Sequence, residues 1–145
     1  MKAVKFTVPG EPKGKGRPRH TKSGHSYTPK ETAMYENLVA VEYQRQNPGV
    51  RFPDGAMLDF RILAYYAIPK SKSRREKAAM LAGEIRPTKK PDMDNILKVV
   101  ADALNQIAYR DDAQIVDTQV RKYYSDQPRL EVTILAANKR REQKS

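Results

Sequence analysis

Apolar and polar residues alternate along four short segments of the chain. The alternation over residues 2–8, 56–68, 113–124 and 129–136 predicts β-strands, because successive side chains of a strand point to opposite faces. The second half of the 56–68 segment is apolar on both faces, which predicts a central strand. Turn-forming residues occupy positions 125–128, so we expect the last two strands to pair as an antiparallel hairpin.

Apolar residues recur at helical spacing in other segments. One predicts a helix over about residues 29–46, with Thr28 as the N-cap and Pro29 as the first helical residue. A shorter helix is predicted over residues 73–82. We expect the apolar stripe of the first helix to belong to the core, and it comprises Ala33, Met34, Leu38 and Val41, with Tyr35 beside them.

The most strongly patterned helix is predicted over residues 93–108, after Asp92 as its N-cap. Its apolar residues cover well over half of the circumference at about 100° per residue, so this helix should be largely buried. The rest of its surface is one narrow polar strip, whose members are Asp94, Lys98, Asp102 and Asn105.

These elements predict an α/β (α+β) fold of one domain. A mixed sheet of four or five strands should pack with two main helices, 29–46 and 93–108. A chain of 145 residues is long enough for one such core. We assign the domain to residues 1–138 and expect residues 139–145 to form a basic, disordered tail.

The charge of the chain narrows its function. Lys and Arg number 28 against 17 Asp and Glu, a net charge of +11, which favours binding to nucleic acid or to an anionic membrane. No apolar run approaches the ~18 residues of a membrane-spanning helix, so we expect no membrane partner. The chain has no cysteine, which excludes disulfides, thiol nucleophiles and cysteine zinc sites, and which fits a cytoplasmic protein.

Two basic segments are candidates for phosphate contact. Residues 13–22 are rich in Lys and Arg and contain glycines that let a backbone approach a phosphate closely. A second basic pair directly precedes two aspartates. The alternative is a solvated, mobile basic loop. The candidate contacts are Lys13, Lys15, Arg17, Arg19, Lys89 and Lys90.

Five of the 17 acidic residues lie between residues 90 and 115, although the protein is basic. A purely structural interpretation is possible for the helix. Asp92 would cap it, and Asp94–Lys98 and Lys98–Asp102 would form i,i+4 ion pairs worth about 0.2–0.5 kcal/mol each. On the helix alone the two interpretations, structural and catalytic, stay open.

The catalytic interpretation depends on the segment after the helix. A short loop can fold the start of the next strand back beside it, so that Asp92, Asp94 and one of Asp111 and Asp112 converge on one or two divalent ions. The chain's two histidines, at positions 20 and 25, form a poor metal site. Any metal should therefore be a hard cation on oxygen ligands, such as Mg²⁺ or Mn²⁺.

Three motifs in order carry a family resemblance. Residues 90–98 (Lys-Pro-Asp-Met-Asp-Asn-Ile-Leu-Lys), 102–105 (Asp-Ala-Leu-Asn) and 111–115 (Asp-Asp-Ala-Gln-Ile) resemble the signature of RusA-type Holliday junction resolvases. Earlier motifs in the same order, at residues 12–13, 17–19 and 27–29, extend the resemblance to about residues 5–135. The chain departs from the family at Gln106, where members often have glycine, and at Pro91, where some have arginine.

The resemblance implies a RusA-like fold and a small, homodimeric, Mg²⁺-dependent endonuclease, bacterial or phage-encoded, that nicks opposing strands of a four-way DNA junction symmetrically. It implies that Asp92, Asp94 and Asp112 bind the metal and that Lys98 is the active-site lysine. The resemblance does not decide whether Asp102 and Asp111 have a supporting or a catalytic role.

Two other functions fit the same residues. One is a metal-dependent nuclease for other branched DNA, such as flaps or forks. The other is a DNA-binding protein without activity, whose aspartates only cap and pair.

Overall fold

The fold contains six strands and three helices in the computed structural model, which describes residues 3–16 and 19–140, with Arg19 described by its backbone alone. The strands are β1 (Val4–Pro9), β2 (Arg19–His20), β3 (Ser26–Tyr27), β4 (Leu58–Ala67), β5 (Ile115–Ser125) and β6 (Arg129–Ala136). The helices are α1 (Lys30–Gln46), α2 (Arg74–Leu81) and α3 (Met93–Leu104). None of these helices is long and apolar enough to cross a membrane.

A four-stranded mixed sheet in the order β1-β6-β4-β5 forms the framework, and β2 and β3 pair as a separate short hairpin. The apolar strand β4 is central, as its sequence predicts. Alternate residues of β4, such as Phe60 and Ile62, are buried in one core with Ile96, Val100 and Leu104 of α3. The predicted single α+β domain with a mixed sheet is confirmed.

The predicted hairpin of the last two strands is wrong. Both strands form, but β4 lies between them, parallel to β5 and antiparallel to β6. The alternating pattern determines which face of a strand is buried, but it does not determine which strand lies beside it. Placing β4 in the middle pairs both edges of the most apolar strand, and a crossover containing α2 and α3 connects it to β5.

The predicted core stripe of α1 is shifted. Its buried residues are Thr32, Tyr35, Val39 and Tyr43, whereas Ala33, Met34 and Val41 are exposed and Leu38 is partly buried. The tyrosines determine the face, because a tyrosine buries more surface than a methionine. The Tyr43 ring packs edge-on against Phe6, with centroids 5.4 Å apart, and its hydroxyl donates to the Val50 carbonyl oxygen at 2.6 Å. The N-cap of α1 is Pro29 rather than Thr28.

Helix α3 ends at Leu104 and not near residue 108. Asn105 leaves the helical conformation, and Gln106 has a φ of 65°, in the left-handed region. The chain then turns back, and the buried Tyr109 donates from its hydroxyl to the Ala101 carbonyl oxygen at 2.6 Å. This turn returns the chain beside α3, where β5 begins.

Candidate functional site

A cavity of about 340 Å³ lies where the polar strip of α3 meets the start of β5. Helix α3 contributes Asp94, Lys98 and Asp102 to its lining, the turn before β5 contributes Asp112, and β5 contributes Asp117. The early end of α3 and the parallel crossover bring these side chains together. The cavity therefore holds four carboxylates and one ammonium group.

The capping and pairing interpretation accounts for Lys98 and Asp102 but not for the two aspartates at the start of α3. Asp92 occupies the N-cap position, but its side chain makes no capping hydrogen bond. Among the side chains that the structure describes, no Lys or Arg lies within ion-pair distance of Asp94. Of the two predicted i,i+4 pairs, only that of Lys98 and Asp102 is present among the described residues, with Nζ and Oδ2 3.7 Å apart. Within the described part of the chain, the exposed carboxylates of Asp92 and Asp94 thus have no ion-pair partner and can bind a ligand.

The turn before β5 separates the two adjacent aspartates. Asp111 is the N-cap of a 3-10 helix (Asp112–Gln114), where its carboxylate accepts from the Ala113 N–H and forms a capping box with Gln114. Gln114 also donates to the carbonyl oxygens of Pro53 and Ala56, at 3.2 and 3.0 Å. Asp111 therefore has a local structural partner, and its neighbour in the turn lines the cavity.

The position of Asp112 depends on a residue to which the sequence assigned no role. The Asp112 N–H donates to the side-chain oxygen of Asn105, just after α3, at 3.1 Å. Asn105 belongs to the polar strip and to the Asp-Ala-Leu-Asn motif, and these two signals could have found it. Asp117 was also missed, since a single aspartate in an alternating strand gives no signal of its own.

Negative charge is concentrated at this end of the cavity. Burial, hydrogen bonding and charge from Asp111, and the charge of Asp102 all raise the pKa of Asp112, and Lys98 opposes them. Burial raises the pKa of Tyr109, and the charges of Asp112 and Asp102 add to the effect. A bound cation would relieve this repulsion.

Asp92 lies outside the residues that line the cavity. Burial and then the charge of Asp92 raise the pKa of Tyr66, whose hydroxyl donates to the Pro91 carbonyl oxygen at 2.5 Å. Burial lowers the pKa of Lys122, and Asp92 partly offsets that effect. Lys122 also donates from its Nζ to the Lys89 carbonyl oxygen at 2.7 Å. Lys122, which the sequence did not single out, thus helps to anchor the segment before α3.

The described residues contain no group of three or more Asp, Glu, His or Cys side chains arranged to hold a metal ion. The structure unites Asp94, Lys98 and Asp112 in one cavity and leaves Asp92 beside Tyr66 and Lys122. The assignment of three metal-binding carboxylates therefore stays a prediction.

The predicted phosphate contacts have different environments. Lys13 is exposed, whereas the ammonium group of Lys15 lies between two carboxylates, Glu36 and Asp102. Arg17 lies outside the described residues, as does the side chain of Arg19.

The second basic segment is exposed on the approach to α3. The Nζ of Lys89 lies 5.9 Å from the centroid of the Tyr124 ring, and Lys90 is exposed beside it. Both residues therefore remain candidate phosphate contacts.

An acidic cavity in a strongly basic chain fits the class of enzymes that cleave nucleic acids. The chain belongs to the RusA endodeoxyribonuclease family, since residues 9–135 match the family described as Endodeoxyribonuclease RusA. It is also 40% identical over 139 residues to the uncharacterized protein YqaN of Bacillus subtilis strain 168, a match that covers 92% of this chain and 96% of YqaN. Family membership thus identifies an endodeoxyribonuclease.

Proposed function

We propose that this protein is a Mg²⁺-dependent endodeoxyribonuclease that resolves four-way DNA junctions by paired symmetric nicks, in DNA recombination and repair. One observation carries the proposal. Asp94 and Asp112 line the same cavity as Lys98, and Asp94 has no ion-pair partner among the described residues. Membership of the RusA family supports the class of substrate.

The oxygen donors of the cavity suit a hard divalent cation. Mg²⁺ is commonly held by one or two carboxylates together with water, and Asp94 and Asp112 supply two carboxylates in one cavity. Burial is the main cause of the raised pKa of Asp112, and the charges of Asp111 and Asp102, which a cation would offset, add to it and support the same site. Asp92 is the proposed third ligand, and Mn²⁺ should substitute for Mg²⁺. When bound, the ion would activate water and stabilise charge on the leaving oxygen.

The lysine in the cavity has a role that does not require the ion. The side chain of Lys98 is 62% exposed and has one carboxylate partner, Asp102, at 3.7 Å. A flexible, exposed ammonium group can move to a phosphate that enters the cavity. We assign Lys98 to the scissile phosphate, where its positive charge offsets the charge that develops on the phosphate oxygens.

The basic segments would hold the DNA around this cavity. Exposed Lys13, Lys89 and Lys90, together with Arg17 and Arg19, would neutralise phosphates of the junction arms. Phosphate contacts of this kind position DNA without reading its sequence, which suits an enzyme that selects a branched shape.

Two symmetric nicks require two active sites, so we propose that the protein acts as a homodimer in the cytoplasm, where its DNA substrate lies. Light scattering on the purified protein, alone and with junction DNA, tests the dimer. A single copy on each junction would contradict it.

A strand-labelled mobile four-way junction tests the function. Matched flap, fork and linear duplex substrates are cut in parallel, with and without Mg²⁺. We expect paired symmetric nicks in the junction alone, only with Mg²⁺, and none from an Asp94→Asn variant that still binds the junction. Equal cutting of the flap and the junction would contradict junction resolution and indicate a nuclease for branched DNA in general.

A further inference from the structure

Lys15 lies in the basic segment but is mostly buried. Its Nζ is 3.2 Å from Oε2 of Glu36 on α1 and 3.2 Å from Oδ2 of Asp102 on α3, and only 17% of its side chain is exposed. Burial lowers the pKa of Lys15, but the hydrogen bonds and charges of Glu36 and Asp102 outweigh it and raise the pKa overall. Lys15 is therefore a charged link between two helices.

The backbone around Lys15 fixes this placement. The Lys15 N–H donates to the Asn95 carbonyl oxygen at 3.1 Å, and the Gly16 N–H donates to Oγ1 of Thr32 at 3.0 Å. Gly14 allows this close approach to α3, since a Cβ at Gly14 would lie 2.8 Å from the Asn95 Cβ. The segment is thus bound to α1 and α3 on both sides of Lys15.

Asp102 is shared by two lysines at the same oxygen. Its Oδ2 lies 3.2 Å from Nζ of Lys15 and 3.7 Å from Nζ of Lys98. Lys15 is the closer and more buried partner, and Lys98 is the more distant and more exposed one. If Lys98 moves away, Asp102 keeps a partner, and a partly buried carboxylate is not left unpaired.

We propose that Lys15 is a positioning residue for cleavage, which holds Asp102 so that Lys98 can exchange this carboxylate for the scissile phosphate. The proposal rests on the proposed function in one respect, the contact of Lys98 with phosphate. Without Lys15, Asp102 would have Lys98 as its one remaining cation among the described residues. Lys98 would then be retained at Asp102, and cleavage would slow.

A direct phosphate contact by Lys15 fits the geometry less well. An approaching phosphate would meet Glu36 and Asp102, which together carry one more charge than Lys15 neutralises. The exposed Lys13 in the same segment has no such carboxylates within ion-pair distance among the described residues. Lys13 is therefore the matched control, a lysine of the same segment that we assign to phosphate.

The salt dependence of junction binding separates the two roles. The variants Lys13→Met and Lys15→Met are each combined with Lys98→Met, so that retention of Lys98 at Asp102 cannot affect the result. Junction binding is measured without divalent cations. We expect Lys13→Met to reduce the slope of log K against log salt by about 0.9, as for one lost phosphate contact. We expect Lys15→Met to change this slope by less than half as much. An equal or larger change would overturn the proposal.

Cleavage rates test the exchange itself. Single-turnover rates are measured at saturating protein, so that affinity does not contribute. We expect Lys15→Met to slow cleavage about fivefold or more, as expected when an ion pair of about 1 kcal/mol must be broken. We expect no further loss when Lys15→Met is added to Asp102→Asn, since no carboxylate then retains Lys98. Equal losses in both backgrounds would overturn the proposal.

Two further variants control for folding. Lys15→Arg keeps the charge, so its cleavage rate should stay near that of the wild type, and a loss as large as that of Lys15→Met would contradict the proposal. If Lys15→Met does not fold, Lys15→Gln is measured in the same cycle. If the wild-type protein does not cut the junction, the proposed function fails. The salt dependence still decides whether Lys15 is a phosphate contact.

Discussion

The side-chain oxygen of Asn105 accepts a hydrogen bond from the backbone N–H of Asp112 at 3.1 Å. Asn105 is the C-cap of α3, and Asp112 begins the turn that leads into β5. This bond therefore connects the two elements that contribute carboxylates to the cavity. The bond holds the backbone of Asp112 next to the polar strip of α3.

Replacing Asn105 with alanine should loosen the site. The variant loses one hydrogen bond, worth about 1 kcal/mol, and frees the turn that carries Asp112. We expect a lower melting temperature and a larger relative loss of junction cleavage than of junction binding. The exposed Asn37 on α1 provides the control, since Asn37→Ala should lower neither the melting temperature nor junction cleavage. Equal cleavage by the two variants would show that the bond does not position Asp112.

The end of α3 gives a prediction about stability. Gln106 has a φ of 65°, a conformation that costs a side-chain-bearing residue about 1 kcal/mol and glycine very little. We expect Gln106→Gly to raise the free energy of unfolding by up to about 1 kcal/mol, measured by chemical denaturation. Gln106→Ala is the control and should bring no such gain, because alanine also has a Cβ. If alanine raised the free energy of unfolding as much as glycine, the left-handed conformation of residue 106 would not be the cause.

The same residue shows why the end of α3 could not be predicted. The apolar pattern continues through Ile107 and Ala108, and Gln106 carries no helix-stop signal. What ends the helix is tertiary: Tyr109 is buried and bonds back to Ala101, which requires a sharp turn. Local propensity yields to that packing.

In the rest of the fold, too, some features could be predicted from the sequence and others depend on tertiary contacts. The central position of β4 follows from the apolar second half of the strand, whereas the order of β5 and β6 depends on non-local pairing. For the site, the spacing on α3 predicted that Asp94, Lys98 and Asp102 share one face. The loop after α3 allowed Asp112 to join them, as it does. The anchoring of Asp92's neighbours by Tyr66 and Lys122 comes from distant strands and leaves no local trace.

The raised pKa of Asp112 predicts that the metal-free protein loses stability as the pH rises. An acid whose pKa is higher in the folded state binds more protons there, so stability falls as pH rises from its ordinary value of 3.8 through the raised value. We expect Asp112→Asn to be more stable than the wild type above this window and not below it. Thermal melts from pH 3 to pH 7 in a metal chelator measure the difference. A stability difference that does not change with pH would contradict the assignment of the shift to Asp112.

Divalent metal should stabilise the wild-type protein through the same carboxylates. A ligand that binds only the folded state adds about 2.7 kcal/mol at 100 times its Kd, so the melting temperature should rise as Mg²⁺ or Mn²⁺ is titrated. We expect Asp94→Asn and Asp112→Asn to lose most of this rise, because each removes a carboxylate from the cavity. The exposed Asp126, in the turn between β5 and β6, is the control, and Asp126→Asn should keep the full rise. If Asp94→Asn keeps it too, the cation binds elsewhere, and the cavity between α3 and β5 is not the metal site. Because melting reports binding without cleavage, this result does not depend on the DNA substrate.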